Sequence, residues 1–370
     1  MRWIPWLCMI RRILLLLLLC LLSFCRGNSD PGTRETNHCS GLSARQYTLA
    51  SEGAFYFWKV QGELPQGSDL KPYGVKRLYV RYFDVVDGPD GPRPVGIRKS
   101  VDTDAHVIPV VYVTVASLKD LDRAGIDALA SNIWSLVQKL GPPESEIQLD
   151  CDWTPTTRLA YFSLLESIKR LAIKNGQPEL SISSTIRLHQ LKYFRSTGVP
   201  PVDRGALMIY NMGDLADPAE SNSIFRADLA LRYLDGDWTG EYPLPLDLAL
   251  PDFHWAVTFV HGSFHALIHD IDSENLKGLP VTRQKDNYLF QESVVMDGRR
   301  LPRGTEMRLE RADPCQRLQV LEVLAARLGT HQERRLIVFD FQYQSDTEKK
   351  DLIDLFRISG ASCSHASCSD

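Results

Sequence analysis

The segment Glu146-Ile-Gln-Leu-Asp-Cys-Asp-Trp-Thr154 spaces three polar side chains, Gln148, Asp150 and Asp152, two residues apart. On an extended strand that spacing sends all three to one face and Leu149 and Cys151 to the other. Two carboxylates held close compete for charge, and one is pushed toward keeping its proton, as a proton-sharing acid/base pair requires. The competing reading is structural: either aspartate could cap a helix or pair with an arginine from a neighbouring strand. Cys151 faces the opposite way, and no Gly-x-Ser-x-Gly nucleophile pattern occurs. The chain also lacks a Gly-x-Gly-x-x-Gly turn and a phosphate-binding P-loop pattern. His254, His261, His265 and His269 would share a helix face in part, but their surroundings alternate as strands around a Gly262 turn. In strands, His265 and His269 lie about 13 Å apart, too far for joint ligation. No metal site and no cofactor are expected.

The elements that must position these residues alternate. Strand candidates are 54–58, 77–83, 107–114, 146–152, 180–186, 206–211, 246–250 and 335–341. Between them run amphipathic helices. One carries Ile126, Leu129, Ile133, Leu136, Val137 and Leu140; another carries Tyr161, Leu164, Leu165, Ile168 and Leu171, opened by Thr154 as N-cap and Pro155 at its first position. A third carries Leu318, Leu321, Leu324, Ala325 and Leu328 and is closed by Gly329. Eight strands with interleaved helices predict an α/β protein, a (β/α)8 TIM barrel, with an open doubly wound sheet as the alternative. In a barrel, Asp150 and Asp152 fall at the C-terminal end of the fourth strand, where such folds keep their chemistry. Residues 253–312 break the alternation and read as a small β-rich insert after strand seven. Its predicted hairpins are 253–260 with 264–268, and 288–296 with 306–310 around Asp297-Gly298.

Residues 1–25 place Arg2, Arg11 and Arg12 ahead of an apolar run from Ile13 to Leu22, the pattern of a signal peptide. A spanning helix would need about 20 apolar residues. Leu22-Ser-Phe-Cys25 resembles a bacterial lipobox with Cys25 as the lipidated residue, although phenylalanine stands where a small residue is usual. Residues 26–44 read as a polar linker, 45–358 as the barrel domain, and 359–370 as a Ser/Cys-rich tail. The expected location is exported, in the cell envelope, either membrane-anchored through the lipid or periplasmic. Without residues 1–25 the 42 basic residues fall to 39 against 46 acidic ones, so the formal charge goes from −4 to −7. Such a chain has no electrostatic footprint for nucleic acid. Of eight cysteines, Cys39, Cys151, Cys315, Cys363 and Cys368 lie beyond the leader, an odd number that leaves at least one thiol unpaired within the chain.

Asp150-Cys-Asp152-Trp-Thr154 resembles the Asp-x-Asp-x-Glu motif on the fourth strand of the family 18 glycoside hydrolases, the chitinase-like barrels. Met208-Ile-Tyr210-Asn211 is similar to the Met-x-Tyr-Asp that ends their sixth strand. The resemblance matches Asp150 and Asp152 to the two aspartates and Tyr210 to the tyrosine that supports the reacting sugar. Thr154 stands where the catalytic acid glutamate would be, and Asn211 replaces the partner aspartate, so the substrate-assisted mechanism of that family does not carry over. A nearer resemblance, over most of the mature chain, is to an uncharacterised bacterial family of exported glycoside-hydrolase-like barrels. It rests on Phe55-Tyr-Phe-Trp58, Gln148-Leu-Asp-Cys-Asp152, and Leu248-Ala-Leu-Pro251 running into Phe253-His-Trp-Ala256. Fold does not fix reaction.

The resemblance implies a glycan or polysaccharide substrate and glycosidic-bond hydrolysis by carboxylates. Asp152 is then the main catalytic candidate and Asp150 its tuning partner, with Tyr210, Asn211, Trp153, Trp58 and Gln148 contacting substrate. A glycosidase needs a second carboxylate from another strand end. Glu63, Asp84, Asp214, Asp252 and Asp340 are the candidates, and only Asp340, between Phe339 and Phe341, sits on a strand. The alternative function is a non-catalytic carbohydrate-binding or envelope lipoprotein that has lost the acid. A salt-bridged Asp152 would favour that alternative. Sequence does not address oligomeric state.

Overall fold

The computed structural model describes residues 46–328, 333–342 and 345–361. The chain divides into two units, 1–40 and 41–370, and the described residues all belong to the second. The leader, the linker, Cys25, Cys39, Gly329 and most of the 359–370 tail lie outside them. Among the described residues no helix is long and apolar enough to cross a membrane.

Eight parallel strands form the barrel: β1 (Glu52–Phe57), β2 (Arg77–Val86), β3 (His106–Val113), β4 (Glu146–Asp150), β5 (Ser181–Arg187), β6 (Arg204–Met208), β7 (Leu246–Pro251) and β8 (Arg335–Phe339). Each pairs with its sequence neighbours, and β8 pairs with β1 in register Glu52 to Arg335, which closes the cylinder. All eight expected strands are present. Their residues are buried almost throughout, as in sheets covered on both faces. A short strand, Arg93–Val95, folds back antiparallel on the end of β2.

The helices follow the apolar spacing. α1 (Arg123–Leu140) buries Ile126, Leu129, Ile133, Trp134 and Val137, and its N-cap Asp122 accepts from the Gly125 N–H at 2.8 Å. α2 (Arg158–Lys174) buries Tyr161, Leu164, Leu165 and Ile168, but it starts one turn later than the sequence suggests. Thr154 and Pro155 belong to the preceding turn, where the Thr154 N–H donates to the Thr157 hydroxyl at 3.0 Å, and Thr157 takes the cap position. Among the described residues, three further helices of eight or more residues are α3 (Ala227–Leu234), α4 (Pro314–Leu328) and α5 (Asp346–Ser359). α5 ends on Gly360 at φ +87, where a Cβ would lie 2.6 Å from the Tyr47 carbonyl.

The N-terminal end of the barrel is plugged by charge. Arg335 opens β8 and donates to Glu146 at 2.5 Å and to the Tyr79 hydroxyl at 2.7 Å. Arg204 opens β6 and grips both oxygens of Asp247 at 2.8 and 2.7 Å. Glu146 and Asp247 are buried, so these charges are tolerable only because each is paired.

The insert leaves the C-terminal end of β7. Strands His254–Val260 and Ser263–His269 form the first expected hairpin around His261 and Gly262. The second differs from expectation: Asn287–Phe290 pairs with Glu306–Arg311, while Val294–Met296 turns back at Asp297-Gly298 onto Arg299–Leu301. Positive φ at both turn residues suits a tight two-residue connection, which splits the expected long strand in two. Buried Glu310 ties the insert to the loop after β6, accepting from Arg308 Nε at 2.6 Å, Trp255 Nε1 at 2.7 Å and the Ser223 N–H at 3.0 Å.

Candidate active site

Alternation on β4 fixes the inner wall of the barrel. Gln148 accepts from the Tyr56 hydroxyl at 2.6 Å and donates to Ser183 at 3.3 Å, wholly buried, so it is a core crosslink beneath the mouth. Asp150, one inward position higher, accepts from the Thr185 hydroxyl at 2.6 Å. Leu149 and Cys151 face the helices, where Tyr161 of α2 donates to the Leu149 carbonyl at 3.0 Å. Burial raises the Cys151 thiol, which is free and shielded.

The two aspartates live in different environments. Asp152 is bound on both oxygens by Arg187 at the end of β5, Nε at 2.5 Å and Nη2 at 2.9 Å. Its side chain remains partly open to solvent. Asp150 is only 4% exposed and makes no ion pair among the described residues. Burial and then the Asp152 charge push its carboxyl from 3.8 up to about 6, against the opposing pull of Arg187 and Thr185. Asp84, itself gripped by Arg81, adds a smaller upward push.

A second carboxyl of this kind stands just past the end of β8. Asp340 follows Phe339, is 6% exposed, and accepts from Gln342 Nε2 at 3.1 Å. Burial raises it to about 6; the Gln342 hydrogen bond and Lys59 pull it down, and Asp270 pushes it up. Lys59 in turn pairs with Asp270 at the end of an insert strand, at 3.6 Å. In an eight-stranded barrel β4 and β8 are four strands apart either way round, so Asp150 and Asp340 stand on opposite walls. The other second-carboxylate candidates are otherwise engaged or outside the mouth. Asp84 is paired with Arg81 and Asp252 with Arg317, Glu63 is exposed, and exposed Asp214 caps the Ala216 N–H at 2.9 Å.

Tyr210 occupies the space between these walls in the circuit of strands. Its ring stacks on Phe339 with centroids 5.0 Å apart and meets Phe253 edge-on at 6.2 Å. It is 2% exposed, and its hydroxyl has no hydrogen-bond partner among the described residues. Burial and then the Asp150 charge hold that hydroxyl in its protonated form, with Asp152 and Asp340 acting in the same direction. Trp58 stands half-buried at the rim, 5.4 Å from Phe339, with the Arg81 guanidinium over its face at 5.2 Å.

One expected contact falls elsewhere. Trp153 is packed into the helix layer, stacked on Tyr161 at 5.5 Å and donating to the Thr197 carbonyl at 3.1 Å. An odd-numbered neighbour of two inward aspartates faces outward, and the indole follows that rule. Asn211 is exposed and adopts φ +53, a turn conformation that asparagine tolerates, with its N–H donating to the Ile224 carbonyl at 2.7 Å. Thr154 bonds the Thr156 and Thr157 hydroxyls and supplies no acid. Arg187 and Arg81, which neutralise two of the mouth's aspartates, carry no motif that singles them out in the sequence. Among the described residues no group of three or more His, Cys, Asp or Glu could hold a metal. A concavity of about 300 Å³ lies on the insert, around Lys285, Tyr288 and Glu306, away from this chemistry.

No protein-family model matches the chain, and no curated protein sequence does. Solved structures do match in fold. The spore cortex-lytic enzyme SleL of Bacillus megaterium is 13% identical, with 85% of this chain and 75% of that one covered, at a TM-score of 0.50. The chitinase of Chromobacterium violaceum is 10% identical over 83% of this chain and 99% of its own, at 0.48. A GH18 chitinase from Cycas revoluta, solved with (GlcNAc)4, is 12% identical over 84% and 99%, at 0.45. The class of protein is therefore set by the fold. It is a closed TIM barrel, the fold of SleL, with an extra antiparallel sheet after strand seven.

Proposed function

We propose that this barrel hydrolyses a glycosidic bond in a polysaccharide or related glycan, with Asp150 and Asp340 as its working carboxyls. The observation that carries the reading is the placement of two buried carboxyls, neither ion-paired among the described residues, on opposite walls of the barrel mouth. A glycosidase needs one carboxyl that keeps its proton to protonate the leaving oxygen and one that is ionised to activate water or attack. Carboxyls raised to about 6 suit both tasks near neutral pH. Half-buried Trp58 and Phe339 belong to an aromatic cluster at the mouth, a surface of the kind that packs on the apolar side of a pyranose. Asp152, neutralised by Arg187, is reassigned from main catalyst to the charge that raises Asp150.

A specific observation also favours sugar binding without hydrolysis. Asp152 is locked in a two-pronged ion pair, and threonine stands where the resembled family has its acid. Hydrolysis of a glycan panel by the full chain, with Asp150→Asn, Asp340→Asn and Asp152→Asn in parallel, separates the readings. Loss of turnover in the first two variants, with folding intact, supports the assignment. Loss in Asp152→Asn alone overturns it. Binding without turnover moves the conclusion to the sugar-binding reading.

Export to the cell envelope remains part of the proposal. It rests on the leader sequence and on a disulfide at Cys315, a bond that persists in oxidising compartments. Lipidation at Cys25 is tested by incorporation of a labelled fatty acid, which Cys25→Ser should abolish.

A further inference from the structure

Four successive strands, β2 to β5, carry a run of polar side chains along one wall of the mouth. Asp84 on β2 is in register with Tyr112 on β3, and Tyr112 with Asp150 on β4, so all three point the same way. Arg81 binds Asp84 through both oxygens, and Arg187 on β5 binds Asp152 in the same two-pronged manner. The wall thus sets a charge-cancelled Asp–Arg pair on either side of Tyr112. Tyr112 is half-buried, and the Asp152 side chain is 41% exposed, so both reach solvent. Burial, then the charges of Asp150 and Asp152, push the Tyr112 hydroxyl up to about 12, so it keeps its proton and can donate. His189, exposed two residues beyond Arg187, is lowered chiefly by burial and carries no charge near neutral pH. The buried Arg187 Nη1 and the Tyr210 hydroxyl, both without a partner among the described residues, are further donors. Beyond the β2 end of the wall, the Trp58 ring lies under the Arg81 guanidinium at 5.2 Å.

We propose that this wall reads the hydroxyl groups of an uncharged sugar, with Tyr112 as the residue that determines specificity. This deepens the glycan reading above and rests on it. The occupant is a neutral hexose or pentose unit, neither acidic nor N-acetylated. A sugar hydroxyl has one donor and two acceptor sites, and the wall sets both complements side by side. The exposed Asp152 oxygens keep lone pairs beyond their arginine bonds, and the Tyr112 hydroxyl both donates and accepts. A uronic acid would bring its charge against Asp150 and two further carboxylates. An amino sugar would bring its cation against Arg81 and Arg187, which already hold the aspartates beside Tyr112. An acetamido group would set a methyl against paired charges, stripping water from them and returning no hydrogen bond.

The test measures binding of the full chain by calorimetry at pH 7 to oligosaccharides of equal length. Three are neutral, the β-linked glucose, mannose and xylose oligomers; the others are oligomers of N-acetylglucosamine, glucosamine and galacturonic acid. The best neutral oligomer should bind at least about fivefold more tightly than any of the other three. Tyr112→Phe, which removes one hydroxyl, should weaken that binding about three- to tenfold, the scale of a single hydrogen bond, and shrink the preference with it. Circular dichroism checks the fold of the variant, and the comparison on the unmodified chain stands without it. Equal binding throughout, or a preference for the N-acetylated, amino or acidic oligomer, overturns the inference and leaves the glycan reading in place. A neutral preference that Tyr112→Phe leaves intact, or a loss equal for every oligomer, overturns the role given to Tyr112. Binding of none overturns the inference, and if the glycan panel shows no turnover either, the glycan reading falls with it.

Discussion

Replacing Asp150 with asparagine should make the protein more stable at neutral pH. Asp150 is 4% exposed, and its carboxyl rises from 3.8 in an unfolded chain to about 6 in the fold. Between those values the native state holds more protons than the unfolded one, so stability falls as pH rises. The penalty is absent below about 3.8 and complete above about 6. At ~1.4 kcal/mol per pH unit, that gap amounts to at most about 3 kcal/mol of destabilisation at neutral pH. Asparagine carries no charge to desolvate and keeps an oxygen that can accept from the Thr185 hydroxyl. The assay is urea unfolding followed by tryptophan fluorescence for the unmodified chain and Asp150→Asn across the range from pH 4 to 8. The two should coincide at the acid end, and the variant should gain about 2–3 kcal/mol by the alkaline end. A variant less stable at every pH, or an offset that does not change with pH, would refute the account of Asp150 as a carboxyl held ionised at a cost. Groups that pay stability for function behave in this way, and structural ion pairs do the reverse.

The remaining expectations concern the supports of the site. Thr185→Val removes a hydrogen bond that lowers the Asp150 carboxyl, so a carboxyl-carbon NMR titration should find it above about 6. Arg335→Met leaves buried Glu146 without its cation and should cost about 3–5 kcal/mol in urea unfolding, since the other charge stays buried. Trp153→Ala empties a stacked, buried position and should cost about 3–5 kcal/mol while leaving glycan affinity unchanged. Gly360→Ala forces a left-handed cap residue to carry a Cβ 2.6 Å from the Tyr47 carbonyl, and should cost at least about 1 kcal/mol by the same measurement.

The sequence by itself determined the elements and their order. Eight apolar runs alternating with amphipathic helices marked every barrel strand, because burial on both faces leaves its record in consecutive residues. The two-residue spacing of Gln148, Asp150 and Asp152 likewise placed them on one face, and the structure keeps Gln148 and Asp150 inside the barrel. The same rule sent Trp153 outward, although its position beside two aspartates drew it into the expected site. Only the tertiary structure decided which carboxyl is which. Arg187 is 35 residues from Asp152 in the chain, and it neutralises that aspartate because β5 lies beside β4. Asp340 comes to stand across the circuit of strands from β4 because β8 closes on β1, a pairing between residues almost 300 positions apart. Burial, counter-charge and hydrogen-bond partners come from neighbours in space. Residue types and spacing therefore mark the candidates, and the packing of distant strands decides their charge and their roles.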